Sequence, residues 1–470
     1  MQSVEKLAAD GAEAACNVLK TTFPGKVITE DDESYQAERD LSWSKTCWLP
    51  AACFVRPSST HDVATVLGVL KKTQSKFAIR STGHMQNSGF SSVGGSGVLV
   101  DLRDLKSLSL DKDGILHADG GCKWGDVYKF VEERGRSVIG ARSFDVGVGG
   151  FTLGGGMPAF PNIYGLPADN VKNYEIVLGD SSVVNANADT NPDLYRALKG
   201  GGTNFGIVIR FDIQTYPLIE TQYTVNIYDP SDYMNILRAT VEVQDAMNED
   251  PKIGMFVVFN TDSVVVGLFY AAPEKPKAFD AFFNLTSLVH SAVPTTNGTL
   301  KSLVGSIGYP FPPARRTAST ATTKVSYDLY VEVHKLWLEM NKTTTAQMSY
   351  TIQPLAVSGV EAGEERSRNS IGLEKVPQTW WVVFGAWPGE SLDVETIKWA
   401  DDLRGGIQNI ARAKGKLLDF TFMNDASPTQ TVLDSYGGEN LRRLQETAAK
   451  YDPEGIFQRQ QNGGFLLRRL

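Results

Sequence analysis

Hydrophobic and polar positions follow one pattern up to about residue 217 and another beyond it. In the first part, the short apolar runs "ACFVRP", "KFAIR" and "GVLVDL" predict strands, and stretches of helical periodicity alternate with them. One such stretch follows "SSTHD", where Ser59 and Asp62 have the spacing of a capping box. This part of the chain therefore predicts mixed α and β structure.

Strand-like runs dominate from residue 218 to about 420, among them "QYTVNIY", "GMFVVFN", "SVVVGLFYAA", "AQMSYTIQPL" and "QTWWVVFGAW". Helical stretches such as "SYDLYVEVHKLWLEMN" lie between them, which predicts an antiparallel sheet with helices packed on it. After residue 420, "ENLRRLQETAAKYDPEGIF" predicts a helix and a last segment that returns to the first domain. The expected domains are 1–217 with a core at 46–217, then 218–420 and 421–470.

Composition excludes some classes of partner. The 470 residues carry a net charge of -8 with no long basic run, which argues against wholesale binding to nucleic acid or anionic membranes. No apolar stretch reaches the roughly 18 residues of a membrane-spanning helix. The polar N-terminus lacks a signal-peptide core and makes the cytoplasm the default, whereas sequons at Asn284, Asn297 and Asn341 favour secretion, so the compartment stays open.

The cysteines match no zinc pattern. Cys16, Cys47 and Cys53 fall within the first 53 residues, and Cys122 stands apart. If a disulfide forms among the first three, we expect it between Cys16 and Cys53.

The densest chemical signal is "DVGVGGFTLGGG", residues 145–156. A backbone with so few side chains can turn sharply and direct N–H groups at an anion. The run is not a Rossmann fingerprint, because Thr152 stands where the third glycine is expected, and it lacks the Lys-Ser/Thr of a P-loop. A glycine-rich surface loop or tight sheet packing is the alternative.

Three further loops carry glycine at predicted strand ends: "RSTGH" at 80–84, "NIYGLPADNV" at 162–171 and "GGGTNFGIV" at 200–208. His84 alone is most simply a hydrogen-bonded loop histidine, and no Cys, Glu or second His lies at metal-ligand spacing. Together the four loops predict a cradle for a long, phosphate-containing cofactor.

The order of these motifs resembles flavoproteins of the vanillyl-alcohol oxidase/p-cresol methylhydroxylase class, and within it the berberine bridge enzyme-like oxidases of fungal secondary metabolism. The similarity resumes in "FTFMNDASPTQ" and "YDPEGIFQRQQ". It implies an α+β fold with a two-part FAD-binding domain and an inserted antiparallel-sheet substrate domain. The FAD contacts that it implies are Arg80, Ser81, Thr82, Gly83, His84, Met85, Gln86, Val146, Gly147, Gly149, Gly150, Gly154, Gly155, Gly156, Leu166, Ala168, Asp169, Asn170, Val171, Gly206, Ile207, Val208 and Asn424.

The resemblance also implies how the flavin is attached. In the family, a histidine at the position of His84 is bonded to the flavin 8α-methyl group, which tunes and orients the cofactor. Bicovalent members add a cysteine where this chain has Ser143, so we expect one link, through His84, and no cysteinyl link. Val146 matches a small residue that oxidases keep beside the flavin, which favours oxygen as electron acceptor.

The expected base departs from the family pattern. Relatives often have Tyr-x-Asn-Tyr where this chain reads Phe422-Met423-Asn424-Asp425, so Asp425 replaces the tyrosine that acts on substrate. A buried carboxylate with a raised pKa can serve as a general base. The alternative is that Asp425 caps a turn in "NDASP". Tyr164 matches a tyrosine that lines the family's pocket, where it would bind substrate, assist the base or pack against the ring.

The implied activity is oxidation of a hydrophobic small-molecule metabolite: a base takes a proton, hydride passes to flavin N5, and oxygen reoxidises the flavin to give hydrogen peroxide. The substrate domain contributes Trp380, Trp381, Tyr350 and Gln353, whose orientation the sequence leaves open; this composition suggests an aromatic pocket rather than a basic one. Because the tyrosine base is missing, an FAD-containing cyclase or a combined oxidase–cyclase is the alternative. A carrier that keeps FAD for stability ranks last, and a monomer or homodimer is expected.

Overall fold

The computed structural model describes residues 2–308, 312–366 and 368–469. The amino-terminal part has strands in two sheets, with helices packed around them. Its elements are α1 Gln2–Thr22, β1 Val27–Thr29, α2 Tyr35–Arg39, β2 Cys53–Val55, α3 Thr60–Thr73, β3 Lys76–Arg80, β4 Gly97–Asp101, β5 Leu108–Leu110, β6 Ile115–Asp119, α4 Trp124–Glu132, β7 Arg136–Val138, α5 Val148–Leu153, α6 Pro161–Tyr164, β8 Val171–Val177, β9 Val183–Asn187, α7 Pro192–Leu198 and β10 Ile207–Pro217.

The smaller sheet has the order β1-β2-β4-β3, with β2, β4 and β3 parallel and β1 antiparallel to β2. Helix α3 covers it with Val63, Val66, Leu67 and Leu70, and the side chain of Ser59 accepts from the N–H of Asp62, as the capping box predicts. A disulfide joins Cys16 on α1 to Cys53 on β2. The predicted pairing of these two cysteines is confirmed.

The larger sheet of the first part has the order β5-β6-β10-β8-β9, with β7 also paired to β10. Its strands are antiparallel, and β10 runs through the middle as a long strand, as the apolar run "FGIVIRFDIQTYPL" predicts. The run "NPDLYRALKGG" predicts a helix with Asn191 as its cap and Pro192 in its first turn. Helix α7 does begin at Pro192, but the side chain of Asn191 does not cap it. The side-chain amide of Asn191 donates instead to the carbonyl of Asn185 on β9.

The second part is built on an eight-stranded antiparallel sheet with the order β14-β11-β13-β12-β16-β17-β15-β18. Helices α8, α11 and α13 cover one face, where Trp337, Tyr350 and Trp381 are buried with aliphatic side chains. The elements are β11 Glu220–Tyr228, α8 Tyr233–Glu249, β12 Ile253–Phe259, β13 Val264–Tyr270, α9 Asp280–Phe283, β14 Leu288–Thr299, α10 Leu300–Ile307, β15 Arg315–Lys324, α11 Tyr327–Asn341, β16 Gln347–Leu355, α12 Val357–Glu365, β17 Gln378–Trp387, α13 Asp393–Ala413 and β18 Leu417–Leu418.

The last residues contact the first sheet. Two helices, α14 Gly438–Tyr451 and α15 Ile456–Arg459, precede a segment that runs beside β3. The N–H of Phe77 donates to the carbonyl of Gln460 at 3.1 Å, and the N–H of Asn462 donates to the carbonyl of Phe77 at 2.7 Å. The ring of Phe457 packs edge-on against that of Phe77, so residues from both ends of the chain share one core.

Strands β14 and β15 were not predicted from sequence. Strand β15 reads "RRTASTATTK", which lacks the large apolar residues that identify a buried strand, yet it lies inside the sheet between β17 and β18. Strand β14 is a sheet edge whose residues are mostly exposed, and it contains Pro294. Among the described residues, no helix has the length and apolar composition needed to cross a bilayer.

Candidate functional site

A cavity of about 910 Å³ lies between loops of the first part and the uncovered face of the eight-stranded sheet. On one side the wall consists of residues near 81–86, 146–150, 202–208 and 463–465. On the other side, strands β12, β15, β16 and β17 contribute alternate residues, as the two-residue period of a strand requires. These include Val258, Arg316, Ala318, Ser349, Thr351, Gln353, Val382 and Phe384.

The loop that follows β3 contains backbone N–H groups that are not used in hydrogen bonds to other described residues. Two carbonyls of this loop accept hydrogen bonds from residues that precede β2. Thr46 Oγ1 donates to the carbonyl of Gln86 at 2.8 Å, and Cys47 Sγ donates to the carbonyl of Met85 at 3.2 Å. Within the part of the chain that the structure describes, the N–H groups of residues 81–86 have no acceptor. Successive backbone N–H groups of this kind form anion-binding concavities. The loop is therefore suited to hold a phosphate group at the cavity wall.

His84 lies in this loop and packs against Trp43. The two rings are stacked with centroids 4.4 Å apart and planes 15° from parallel, and the Trp43 N–H donates to the Gly83 carbonyl at 3.0 Å. The guanidinium of Arg316 lies over the Trp43 ring at 4.2 Å from its centroid. Burial lowers the pKa of His84 to about 4, although Asp145 opposes the shift, so the imidazole is neutral at neutral pH.

The glycine run packs directly against the His84 loop. A Cβ placed on Gly147 would lie 2.6 Å from Thr82 Oγ1, and one on Gly149 would lie 3.2 Å from Ser81 Oγ. A Cβ on Gly150 would meet nothing within 4 Å, and that residue lines the cavity. Gly147 and Gly149 therefore permit close approach of the two loops, whereas Gly150 leaves room in the cavity.

Asn424 fixes the far end of the same run. Its side-chain oxygen accepts from the N–H of Gly156 at 3.2 Å, and its amide nitrogen donates to the carbonyl of Phe151 at 3.2 Å. A Cβ on Gly154 would lie 2.6 Å from this oxygen. The absence of a side chain at Gly154 thus lets residues from the C-terminal segment close the loop.

Asp425 lies next along the chain, at the end of the 3₁₀ turn Met423–Asp425, and faces the cavity. The side-chain amide of Gln353 donates to its carboxylate at 3.1 Å, and Arg142 donates to the other end of the same amide. Burial raises the pKa of Asp425 to about 6, against the opposing effects of Gln353 and Arg142. No described backbone N–H donates to this carboxylate; the neighbouring turn is closed by Gln430, which accepts from the N–H of Ser427.

The comparisons with known proteins agree with this geometry. The family model described as an FAD binding domain matches residues 51–187. An FAD-dependent monooxygenase of Arthrobotrys oligospora is 33% identical over 97% of this chain and 89% of its own length. The protein belongs to the FAD-linked oxidoreductases of the vanillyl-alcohol oxidase/p-cresol methylhydroxylase class.

Further relatives of this FAD-linked oxidoreductase include the bifunctional solanapyrone synthase of Alternaria solani, 33% identical over 97% of this chain and 90% of that protein. Among solved structures, 6-hydroxy-D-nicotine oxidase of Arthrobacter nicotinovorans has a TM-score of 0.79 at 21% identity and covers 93% of this chain and 97% of its own. Glucooligosaccharide oxidase of Acremonium strictum, described with a 6-S-cysteinyl, 8α-N1-histidyl FAD, has a TM-score of 0.80 at 19% identity and covers 94% and 97%.

The cavity wall fits FAD, because unpaired backbone N–H groups and side-chain-free glycines line it together. These features suit a pyrophosphate and a planar ring system. Most of the expected FAD contacts lie at the wall, and these are the residues that would hold the cofactor: Ser81, Thr82, Gly83, His84, Met85, Gln86, Val146, Gly147, Gly149, Gly150, Gly206, Ile207, Val208 and Asn424.

The other expected FAD contacts do not line the cavity, and their contact with FAD stays a prediction. Arg80 is buried in an ion-pair cluster in which it donates to Asp101 at 2.7 Å and also pairs with Glu38. Asp169 is buried where it accepts from the N–H of Leu166 at 2.8 Å, and the amide of Asn170 donates to the Leu166 carbonyl. The residues in this group are Arg80, Gly154, Gly155, Gly156, Leu166, Ala168, Asp169, Asn170 and Val171.

Tyr164 also lies outside the cavity lining. Helix α6 ends at Tyr164. The centroid of the Tyr164 ring lies 4.5 Å from that of Tyr216 on β10. The expected pocket aromatics differ too, because Tyr350 and Trp381 point to the helix-covered face of the sheet and Trp380 packs on Phe420 and Phe422. The three aromatic residues named from sequence therefore do not line the cavity. Other aromatic residues do, among them Phe384 and Phe422, together with Ser349, Thr351 and the cation of Arg142.

Sequence reasoning missed three residues that shape this site. Trp43 and Arg142 lie just outside the recognisable motifs, and Arg316 sits in the strand that was not predicted. Neither cation stands in a sequence pattern that distinguishes it from a surface arginine. Trp43 belongs to none of the recognised motifs either, and nothing in its sequence surroundings marks it as a cavity residue.

Proposed function

We propose that this FAD-linked oxidoreductase is an oxidase of a small-molecule metabolite and that Asp425 takes a proton from the substrate. Bound FAD would accept two electrons from the substrate and pass them to oxygen, which is released as hydrogen peroxide. The observation that carries the proposal is a carboxylate with a raised pKa at the wall of the cavity that holds the FAD-binding loops.

The surroundings of Asp425 suit a general base. A pKa of about 6 leaves the carboxylate ionised at neutral pH and still basic enough to take a proton. Its described side-chain partner is the amide of Gln353, which orients one oxygen and leaves the other available to the cavity. In this proposal the carboxylate of Asp425 takes the place of the tyrosine base of related enzymes, and its pKa is lower than that of a tyrosine. Tyr164 has no role in the proposed reaction.

The attachment of FAD is proposed to run through His84 alone. Its imidazole is neutral at neutral pH and is held flat against Trp43, which supports its use as a nucleophile toward the cofactor. Ser143 lines the cavity where bicovalent relatives have cysteine, and a serine cannot form the thioether. Val146 at the wall has a side chain small enough to leave room for oxygen, which supports oxygen as the acceptor.

The experiment is a reaction balance with purified holoenzyme and a panel of fungal metabolites. The proposal predicts one hydrogen peroxide released for each substrate oxidised, and no oxygen atom transferred to product. Because several relatives are named monooxygenases, the reaction is repeated in isotopically labelled oxygen. Label in the product, or oxidation without peroxide, would contradict the oxidase assignment.

Cyclisation, alone or after oxidation, is the second candidate. It is favoured by the relative named bifunctional solanapyrone synthase, which aligns over nearly the whole chain, and by the missing tyrosine base. A pure cyclase would convert its substrate under nitrogen and leave the flavin oxidised. A combined enzyme would reduce the flavin first and then release a cyclised product.

A further inference from the structure

Arg142 presents a cation at the cavity wall beside Asp425. Its guanidinium donates to the side-chain oxygen of Gln353 on β16, and no other hydrogen bond of this group is found among the described residues. No carboxylate in the described ranges forms an ion pair with it. Arg316 is different, because it donates to the carbonyls of Trp43, Pro312 and Ala314 and packs on the Trp43 ring.

A guanidinium has five N–H donors, so a single neutral amide leaves most of the donors of Arg142 available. Burial lowers the pKa of Arg142 to about 10, although the charge of Asp425 opposes the shift. The cavity wall thus desolvates a cation that the nearby carboxylate compensates only in part. A buried charge is costly until an opposite charge or several hydrogen bonds reach it. An anionic group that enters the cavity would supply both.

Gln353 determines where such an anion would lie relative to Asp425. One end of its amide accepts from Arg142 and the other end donates to Asp425 at 3.1 Å, so the cation and the carboxylate lie at opposite ends of a single side chain. A group bound by Arg142 is thereby placed within a few atoms of Asp425. Val382 and Phe384 on the adjacent strand β17 offer apolar surface in the same cavity.

We propose that Arg142 forms a subsite for an acidic oxygen of the substrate: a carboxylate, phenolate or enolate carried on an apolar body. The inference rests on the proposed function for the identity of the site, and it adds an acidic group to the hydrophobic metabolite that the sequence suggested. Gln353 acts as a positioning residue that keeps the cation and the carboxylate apart while holding both at the cavity.

The test uses two probes that differ in charge and little in shape, benzoate and benzamide, titrated into the holoenzyme while the flavin absorbance is followed. Wild-type protein should bind benzoate about ten- to a hundredfold more tightly than benzamide, as expected for charge-assisted hydrogen bonds. Arg142→Met should reduce the preference to less than about threefold, and Arg142→Lys should retain part of it. Equal binding of the two probes to wild-type protein, or no benzoate binding at millimolar concentration, would overturn the proposal.

A second pair of variants keeps Arg142 in place. Gln353→Glu sets a carboxylate against the guanidinium and should abolish the benzoate preference, because the internal ion pair replaces the external one. Gln347→Glu adds the same charge on the same strand of the cavity wall and should keep the preference. If Arg142→Met or Gln353→Glu keeps the preference, or if Gln347→Glu loses it equally, the subsite is not at Arg142. These titrations need no turnover, so failure of the oxidase assignment would leave their result readable.

Discussion

Trp43 and His84 lie face to face, with ring centroids 4.4 Å apart and planes 15° from parallel. The indole thereby holds the imidazole in one orientation near the start of the loop that follows β3, and burial keeps that imidazole neutral. The stack connects a residue outside every recognised motif to the proposed point of flavin attachment.

Replacement of His84 by alanine should abolish covalent attachment of the flavin. After acid precipitation, wild-type protein should keep its yellow colour in the pellet, whereas His84→Ala should release all of it into the supernatant. The loss should be complete because Ser143 cannot provide a second bond. Covalent flavin in His84→Ala would show that another residue forms the link, and release of all flavin from wild-type protein would show that no link exists.

Removal of the stacking ring should slow attachment without preventing it. Aromatic stacking is worth about 0.5–1.5 kcal/mol, so Trp43→Leu should incorporate FAD covalently about two- to tenfold more slowly when apoprotein is mixed with FAD. Trp43→Phe keeps an aromatic face and is the matched control. Equal rates for Trp43→Leu and wild-type protein would mean that the stack does not orient His84.

Asp425 should set the acid limb of the pH profile. The base is active as a carboxylate, and burial raises its pKa to about 6, so kcat/KM should fall as the pH drops through about 6. Asp425→Asn should lower kcat by about 10²–10⁴-fold and remove this limb, since the amide cannot accept the proton. Flavin content should stay unchanged. Asp262→Asn, at another cavity-lining carboxylate, is the control and should keep the limb.

Two glycines of one loop should respond differently to alanine. Gly147→Ala forces a Cβ to within 2.6 Å of Thr82 Oγ1 and should lower the free energy of unfolding by about 1–3 kcal/mol. Gly150→Ala meets no protein atom within 4 Å and should leave the apoprotein as stable as wild type while reducing FAD occupancy. The thermal unfolding of apoprotein and the flavin-to-protein absorbance ratio measure the two effects. If the two variants behave alike in both measurements, Gly150 does not face the cavity while Gly147 packs against Thr82, and the assignment is wrong.

Local sequence patterns predicted much of the fold, because helices and large-residue strands have periodicities that reflect which face is buried. Strand β15 escaped prediction since its threonines, serines and alanines carry little hydrophobic signal, although neighbouring strands enclose it. The orientation of Trp381 could not be predicted, because adjacent residues of a strand point to opposite faces of the sheet and only the register decides which face each residue takes.

The cofactor loops were predictable because glycine and turn residues mark close backbone approach wherever they occur. The residues on the substrate side of the cavity could not be predicted in the same way. Arg142, Gln353 and Asp425 come from three distant parts of the chain and are joined by hydrogen bonds that only the tertiary fold creates. Arg80 and Asp169 illustrate the reverse case, since residues in a cofactor motif can stabilise the loop from behind without reaching the cavity.

The most direct test of the oxidase assignment is a single-turnover experiment under nitrogen, in which the holoenzyme is mixed with its substrate before air is admitted. If the protein is an oxidase with Asp425 as its base, the yellow flavin absorbance should bleach at a rate that falls at least about 10²-fold in Asp425→Asn, and air should restore the colour with release of hydrogen peroxide. Conversion of the substrate under nitrogen while the flavin stays oxidised would contradict the oxidase assignment.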